Sequence, residues 1–125
     1  MRLLVTGHKG YIGSRLYKRL EDEGHRVDGI DLKDGEDILE SLPNKKYDFI
    51  FHMAAIPRVE YAVNNPSYTL KQNVLVTSKV LEFAAKNSCK RVIFSSSSAI
   101  YGNGSGPMSP YGLHKLMSEM ECKLY

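Results

Sequence analysis

Two groups of residues have types and spacing suited to chemistry on a small molecule. The first is Tyr111 and Lys115, which stand four residues apart and would share one face of a helix. An ammonium beside a phenol lowers the phenol's pKa from about 10 towards neutrality, which suits a proton donor and acceptor for alcohol–ketone interconversion. The same spacing is common in surface pairs, so the pair by itself leaves both interpretations open.

The second group is the stretch VTGHKGYIGS, which places Gly7, Gly10 and Gly13 directly after an apolar run. Such glycines permit a tight turn, a close approach of the backbone to a pyrophosphate, and close packing of the helix that follows. The alternative is a glycine-rich turn that binds nothing. Asp31 favours a cofactor site, because a carboxylate at the end of the second strand can accept both ribose hydroxyls of an adenosine. An exposed turn aspartate would look the same in the sequence.

A run of serines adds a third candidate. The stretch SSSSAIYG, beginning at Ser95, follows an apolar run and so comes at the C-terminal end of a predicted strand. Ligands of open parallel sheets bind on that side. A serine there can donate a hydrogen bond to a substrate oxygen, whereas a solvated loop would have the same composition.

The elements that must position these groups follow from short apolar runs that alternate with segments of helical period. This pattern predicts an α/β, Rossmann-like, doubly wound parallel sheet of about five strands flanked by helices. Strands are expected near 2–5, 25–31, 47–55 and 90–98. Helices are expected at 11–23, 37–42, 66–87 and from 111 to the end, and 101–107 should be a flexible loop.

Two of these helices have a predicted inward face. In the first, Ile12, Leu16 and Leu20 recur every four residues, and Gly24 supplies the C-terminal stop. In the long helix, Asn65-Pro66 supplies the start. The expected inward residues of the last helix are Leu113, Leu116, Met117 and Met120.

Composition narrows the class of protein. A chain of 125 residues with 42% hydrophobic content fits one domain, residues 1–125. Its net charge of +3 is scattered, which argues against nucleic acid as a partner. Cys89 and Cys122, without a Cys/His cluster, indicate neither a disulfide framework nor a metal site. We see no targeting or membrane-spanning segment and expect a soluble, cytoplasmic protein.

Taken in order along the chain, the motifs resemble the extended short-chain dehydrogenase/reductases, and among them the NAD-dependent epimerase/dehydratase group that acts on nucleotide sugars. The resemblance extends from Met1 to Tyr125. The matching motifs are the glycine loop, Asp31, Asp37-Ile38, HMAA from His52 to Ala55, Asn73, SSSSAIYG and SPYGLHK.

The resemblance implies a role for each matched residue. The glycine loop would hold the pyrophosphate of NAD, Asp31 the adenosine ribose, and Asp37 and Ile38 the adenine. The full implied set of cofactor-binding residues is Gly7, Gly10, Tyr11, Ile12, Gly13, Asp31, Asp37, Ile38, Ala54, Ala55, Tyr111 and Lys115.

The implied catalytic residues are Ser97, Tyr111, Lys115 and Asn73. Tyr111 would be the acid/base, Lys115 would hold the nicotinamide ribose and lower the tyrosine pKa, and Ser97 would orient the reacting sugar oxygen. Asn73 would lie near the lysine. Ordinary packing and strand-end hydrogen bonding remain equal alternatives for Asn73 and His52.

NAD is expected rather than NADP, because Asp31 would repel a 2′-phosphate. Lys9 and Lys33 stand close enough in the sequence to argue the other way. Dehydration is disfavoured, since dehydratases of the family carry an Asp-Glu pair where this chain has Ser98-Ala99.

Two functions stay open. The chain could be an enzyme that transfers hydride at a sugar hydroxyl, or a catalytically incompetent dinucleotide-binding module. Members of the family are longer and have a C-terminal substrate lobe that we expect this truncated or minimal chain to lack. We also expect a homodimer or higher homo-oligomer, formed through the helix at 66–87 and the Tyr111 helix or by exchange of the last helix.

Overall fold

Four parallel strands form one sheet in the computed structural model, which describes all 125 residues. The strands are β1 (Arg2–Thr6), β2 (Arg26–Ile30), β3 (Phe49–His52) and β4 (Arg91–Phe94), in the spatial order β2-β1-β3-β4. Leu4 of β1 pairs with Asp28 on one side and with Ile50 on the other. The strand order therefore changes direction between β1 and β3, and the crevice at their C-terminal ends is where doubly wound sheets bind ligands.

Five α-helices accompany the sheet: α1 (Tyr11–Asp22), α2 (Val59–Asn64), α3 (Pro66–Leu70), α4 (Val76–Lys86) and α5 (Pro110–Leu124). A π-helical turn, Lys71–Leu75, joins α3 to α4 without a break, and in it the N–H of Val76 donates to the carbonyl of Lys71. The expected long helix is thus present and begins at Pro66, as the Asn-Pro signal predicts. None of the helices has the length and apolar character needed to cross a membrane.

The chain divides into two compact units. The first contains Met1–Ala54 and Lys79–Ser95, and the second contains Ala55–Ser78 and Ser96–Tyr125. The first unit therefore holds the whole sheet and α1, and the second holds α2, α3, the π turn and α5.

The core of the first unit follows from strand alternation. Leu3 and Val5 point to one face of β1 and are buried with Leu20 of α1. Residues of the opposite parity, Leu4 and Ile50, are fully buried as well. Both faces of the central strands are therefore covered, as a parallel sheet requires. Gly24 ends α1 in the left-handed region, at φ +85°, as predicted.

In the second unit, α5 contacts α2, the π turn and a short 3₁₀ turn, Ser98–Ile100. The stretch expected to be a flexible loop is a closed glycine turn, because the N–H groups of Gly104 and Gly106 both donate to the carbonyl of Tyr101. A Cβ at Gly102 would lie 2.0 Å from the Gly106 carbonyl oxygen, so this turn has no room for a side chain at that position.

The sheet confirms the predicted Rossmann-like class, with four strands where about five were expected. The segment between β2 and β3 contains no strand, only a 3₁₀ turn (Leu32–Asp34) and an isolated turn at 38–40. The helix predicted at 37–42 was wrong. Pro43 follows so soon that the segment cannot repay the cost of helix nucleation.

Two predicted inward faces also need correction. Ile12 is 62% exposed, and Gly13 rather than Ile12 is buried in the first turn of α1. In α5 the apolar residues Leu113, Met117 and Met120 are exposed. The buried face of α5 is made instead of small and polar residues: Gly112, His114, Lys115 and Ser118.

Candidate functional site

The glycine loop links β1 to α1 by a turn that leaves no space for side chains. Gly7, at φ +71°, donates its N–H to the carbonyl of Ile30, and Gly10 donates to the carbonyl of Gly7. A Cβ at Gly7 would lie 2.8 Å from the backbone of Ala54, and one at Gly13 would lie 2.1 Å from the Gly7 carbonyl oxygen. Internal packing alone therefore requires glycine at 7 and 13.

The N-terminus of α1 is open at this loop. Its N-cap is Gly10, which has no side chain, so the first turn of the helix has no side-chain cap. No acidic residue occupies that turn, and Tyr11 is 77% exposed. Free N–H groups and the positive end of a 12-residue helix suit a phosphate group.

Asp31 follows β2 and is held rigidly beside the loop. One of its carboxylate oxygens accepts the N–H of Lys9 at 2.9 Å, and the other accepts the N–H of Lys33 at 2.9 Å. Each oxygen can accept a further hydrogen bond. The carboxylate is therefore fixed in orientation and still able to bind two hydroxyls.

The two residues expected near adenine are arranged differently from each other. The carboxylate of Asp37 accepts the N–H of Leu39 at 2.8 Å and so closes the turn at 38–40. Ile38 is 5% exposed. A contact between Ile38 and a ring would involve only the small part of its side chain that reaches the surface, and the adenine roles of both residues stay predictions.

The end of β3 contacts the glycine loop through Thr6. The hydroxyl of Thr6 lies 2.7 Å from Nδ1 of His52 and accepts the N–H of Ala54 at 3.1 Å. His52 therefore makes the strand-end hydrogen bond that was one alternative for it. This bond and the Gly7 contact bring the backbone of Ala54 against the loop, while Ala55 begins the second unit.

The fit of a dinucleotide to the first unit can be judged from these observations. The glycine loop leaves its backbone uncovered, the first turn of α1 has N–H groups to donate, and Asp31 offers a carboxylate at the end of the neighbouring strand. These groups suit a diphosphate followed by a ribose. The residues predicted to hold NAD that belong to this unit, whose roles stay predictions, are Gly7, Gly10, Tyr11, Ile12, Gly13, Asp31, Asp37, Ile38 and Ala54.

Tyr111 and Lys115 belong to the second unit, on the first turns of α5. The ammonium nitrogen of Lys115 lies 6.0 Å from the centroid of the Tyr111 ring. Lys115 is only 4% exposed, and burial lowers its pKa from 10.5 to about 8. The amine is therefore a buried cationic group placed beside the ring of Tyr111.

Ser97 is brought to the start of α5 by a close backbone contact. Its hydroxyl accepts the N–H of Ala99 at 3.1 Å and caps the 3₁₀ turn that follows. A Cβ at Gly112 would lie 2.5 Å from the carbonyl oxygen of Ala99, so only glycine lets α5 approach this turn. The proton of the Ser97 hydroxyl remains available to an acceptor such as a sugar oxygen.

Asn73 lies in the π turn, and its side chain binds backbone. The amide oxygen accepts the N–H of Ile56 at 2.7 Å, and the amide nitrogen donates to the carbonyl of Ile56 at 3.2 Å. The carbonyl of Asn73 accepts the hydroxyl of Ser118 from α5 at 3.0 Å. Asn73 thus holds the chain after β3, and its catalytic role stays a prediction.

Sequence reasoning missed two features near these residues. The ammonium of Lys9 donates to the carboxylate of Asp34, and Nε2 of His8 lies 3.6 Å from the same carboxylate. In the second unit, the hydroxyl of Ser96 is buried without a hydrogen-bond partner, next to Ser97 in the chain. The residues at 8, 9 and 34 were visible in the sequence, but only the structure shows that their side chains meet. No group of three or more potential metal ligands occurs.

Comparison with known proteins identifies the family of the chain. The model of the NAD dependent epimerase/dehydratase family matches residues 3–125. An uncharacterized UDP-glucose epimerase of Bacillus subtilis is 31% identical over 163 residues, covering 100% of this chain and 52% of that protein. That alignment is longer than the 125 residues of this chain, so the Bacillus subtilis protein has internal segments that this chain lacks.

Solved structures give the same result. The UDP-glucuronic acid 4-epimerase of Bacillus cereus, in complex with UDP-glucuronic acid and NAD, superposes with a TM-score of 0.85 at 31% identity, covering 100% of this chain and 52% of that one. The UDP-glucose 4-epimerase of Thermotoga maritima, with UDP-glucose, gives 0.87 at 27% identity, with 99% and 50% coverage. The chain spans about half the length of the proteins it matches.

Proposed function

Because this chain belongs to the NAD dependent epimerase/dehydratase family, we propose that it binds NAD and a nucleotide sugar and interconverts epimers at a sugar hydroxyl. The observation that carries the proposal is the pair on α5, a buried Lys115 beside the ring of Tyr111. NAD, when bound, supplies the hydride acceptor and donor for such a reaction. The protein must supply the proton transfers.

The proton transfers are assigned to Tyr111. Its phenolate oxygen would take the proton of the sugar hydroxyl as that carbon is oxidised, and would return it when the carbonyl is reduced. The resemblance assigns the support of Tyr111 in these transfers to Lys115, whose ammonium nitrogen lies 6.0 Å from the centroid of the Tyr111 ring. The Ser97 hydroxyl would donate to the same sugar oxygen and hold it in place. Dehydration is not proposed, because Ser98-Ala99 stands where an Asp-Glu acid pair would be needed.

Coenzyme binding is assigned to the first unit. Asp31 would accept the adenosine ribose hydroxyls, and its negative charge favours NAD over NADP, which has a phosphate at that ribose. The NAD-bound Bacillus cereus structure supports NAD as the coenzyme of such a fold.

The test combines binding and turnover. Titration calorimetry measures the dissociation constant of NAD and so tests the binding role proposed for the first unit. NMR of UDP-glucose incubated with the purified chain and NAD detects a change at C4. Tyr111→Phe should retain NAD binding and lose about 100-fold or more of the rate. Tyr125→Phe is the matched control, since it removes an exposed hydroxyl from the end of the chain.

The alternative function is a dinucleotide-binding module without turnover. It is favoured by the first unit, whose glycine loop and Asp31 carboxylate suit a dinucleotide without any group of the second unit. NAD binding with no epimer formed from UDP-glucose, UDP-glucuronic acid or UDP-N-acetylglucosamine would establish the module. Absence of NAD binding would contradict both functions.

Self-association is also proposed, through the outer face of α5. Leu113, Met117, Met120 and Leu124 lie three or four residues apart and are all exposed, which forms an apolar stripe on one side of the helix. Exposed apolar stripes of this size are commonly covered by another subunit. Sedimentation velocity should show a dimer that Met117→Glu dissociates, and a wild-type monomer at micromolar concentration would contradict it.

A further inference from the structure

The coenzyme preference of the site depends on which charges face the ribose position, and Asp31 is not the only carboxylate there. Lys9 contacts two of them: its backbone N–H donates to Asp31, and its ammonium donates to Asp34. The ammonium of Lys33 donates to the carbonyl of Lys9 at 3.1 Å. Two lysines, Lys9 and Lys33, and two aspartates, Asp31 and Asp34, are therefore close together in these two loops.

Asp34 is fixed relative to Asp31 by backbone geometry. The two residues begin and end the 3₁₀ turn, and the N–H of Asp34 donates to the carbonyl of Asp31 at 3.0 Å. Gly35 then leaves the turn in the left-handed region, at φ +74°. The carboxylate of Asp34 consequently has a defined place, and the ammonium of Lys9 is drawn to it.

A free lysine at this position would favour a phosphate. The ammonium is a compact charge with three N–H donors, and lysine commonly binds phosphate groups in this way. Lys9 is bonded through its own backbone to the carboxylate expected to receive the ribose, so its side chain is long enough to reach a group on that sugar. What prevents it from serving a 2′-phosphate is the ion pair with Asp34.

We propose that Asp34 is a second determinant of coenzyme selectivity, which keeps the site selective for NAD by holding the Lys9 ammonium away from the 2′ position. The inference rests on the proposed function, in that Asp31 is taken to bind the adenosine ribose. Asp34 is a positioning residue, which acts through its ion pair with Lys9.

The inference predicts a change of preference in one variant. Asp34→Asn keeps the size of the side chain and removes the charge, which releases Lys9. We expect NADP binding to tighten about tenfold relative to NAD, the effect of one new charge-assisted contact. NAD binding should change less than twofold, because Asp31 and the glycine loop are unaltered.

Two control variants separate this mechanism from a general change of charge. Glu36→Gln removes a negative charge from the same loop, but Glu36 acts on Lys9 only through space. Lys9→Met combined with Asp34→Asn removes the released ammonium. The gain for NADP should be absent in Glu36→Gln and lost in the double variant.

The experiment is titration calorimetry of the full chain with NAD and with NADP for the wild type and these variants. A gain for NADP in Asp34→Asn that disappears with Lys9→Met supports the inference. An unchanged ratio of the two dissociation constants, or an equal gain in Glu36→Gln, overturns it while leaving the proposed NAD site intact. If the wild type binds neither coenzyme, the proposed function fails and this inference fails with it.

Discussion

Replacing Lys115 with methionine should stabilise the fold while removing the proposed activity. Burial lowers the pKa of Lys115 from 10.5 to about 8. Each tenfold change of an ionisation constant corresponds to 1.36 kcal/mol, so the charged amine costs the folded state about 3 kcal/mol. Methionine has a similar length and no charge, and it forgoes the polar contacts of the amine, so we expect a net gain of about 1–3 kcal/mol at pH 7.

The sign of the pH dependence follows from the direction of the shift. The folded pKa of Lys115 lies below the unfolded value, so the unfolded chain binds more protons between about pH 8 and 10.5. Above about pH 10.5, Lys115 is neutral in both states and does not lower the free energy of unfolding. As the pH falls from about 10.5 to 8, its burial lowers the free energy of unfolding progressively, and the full loss is reached below about pH 8. The stability difference between Lys115→Met and the wild type should therefore shrink from pH 8 to pH 10.

Thermal and urea denaturation of the two proteins from pH 6.5 to 10 measure this difference. A gain of about 2 kcal/mol raises the Tm by about 5–10 °C for a domain of this size. Lys123→Met is the matched control on the same helix, because Lys123 is exposed and its replacement should change stability by less than about 0.5 kcal/mol. A Lys115→Met variant that is less stable than wild type at pH 7, by an amount independent of pH, would refute the desolvation argument.

Three further predictions concern the stability of the fold. Gly13→Ala places a Cβ 2.1 Å from the Gly7 carbonyl oxygen and should cost about 2–3 kcal/mol in denaturation while weakening NAD binding; unchanged stability would mean the loop relaxes freely. Asn73→Ala leaves both polar groups of Ile56 without their partner and should cost about 2 kcal/mol, with faster hydrogen exchange of the Ile56 amide; slow exchange in the variant would show that water replaces the clamp. Burial raises the pKa of Asp28, but hydrogen bonds from Lys45 and Tyr47 outweigh this effect and lower its pKa overall. The contribution of the Asp28 carboxylate to stability should therefore be lost in acid titrations as the pH falls below about 4. Asp28→Asn should abolish this part of the pH dependence of stability.

The positions of the strands were predictable because runs of apolar residues indicate buried strands. The stretches at 3–5 and 49–51 are apolar without interruption, as expected for strands buried on both faces, and both lie in central strands. The C-terminal ends of β3 and β4 were predicted less well. The strands were expected to run to residues 55 and 98, but β3 ends at His52 and β4 ends at Phe94. After these residues the chain turns to make hydrogen bonds with the loops, which leaves no trace in hydrophobicity.

The face of α5 could not be predicted from its apolar period. Periodicity assigns the apolar stripe to the core, but the buried side is set by what α5 must bring to its neighbours: Gly112 for close approach, Ser118 for the Asn73 carbonyl and Lys115 beside the tyrosine. A helix that carries a polar face inward and an apolar face outward reverses the usual pattern. The site residues were predicted from motifs, and the contacts among them required the structure.

The π turn at Lys71–Leu75 has a consequence for how the segment tolerates length changes. One residue more than a regular turn needs is accommodated there, so the registry of the helix before it differs from that after it. Deleting a single residue from this turn would restore ideal geometry and, at 100° per residue, swing the amide that grips Ile56 by more than a quarter of a revolution. The segment would become a better helix in isolation and a worse scaffold for the chain that leaves the sheet.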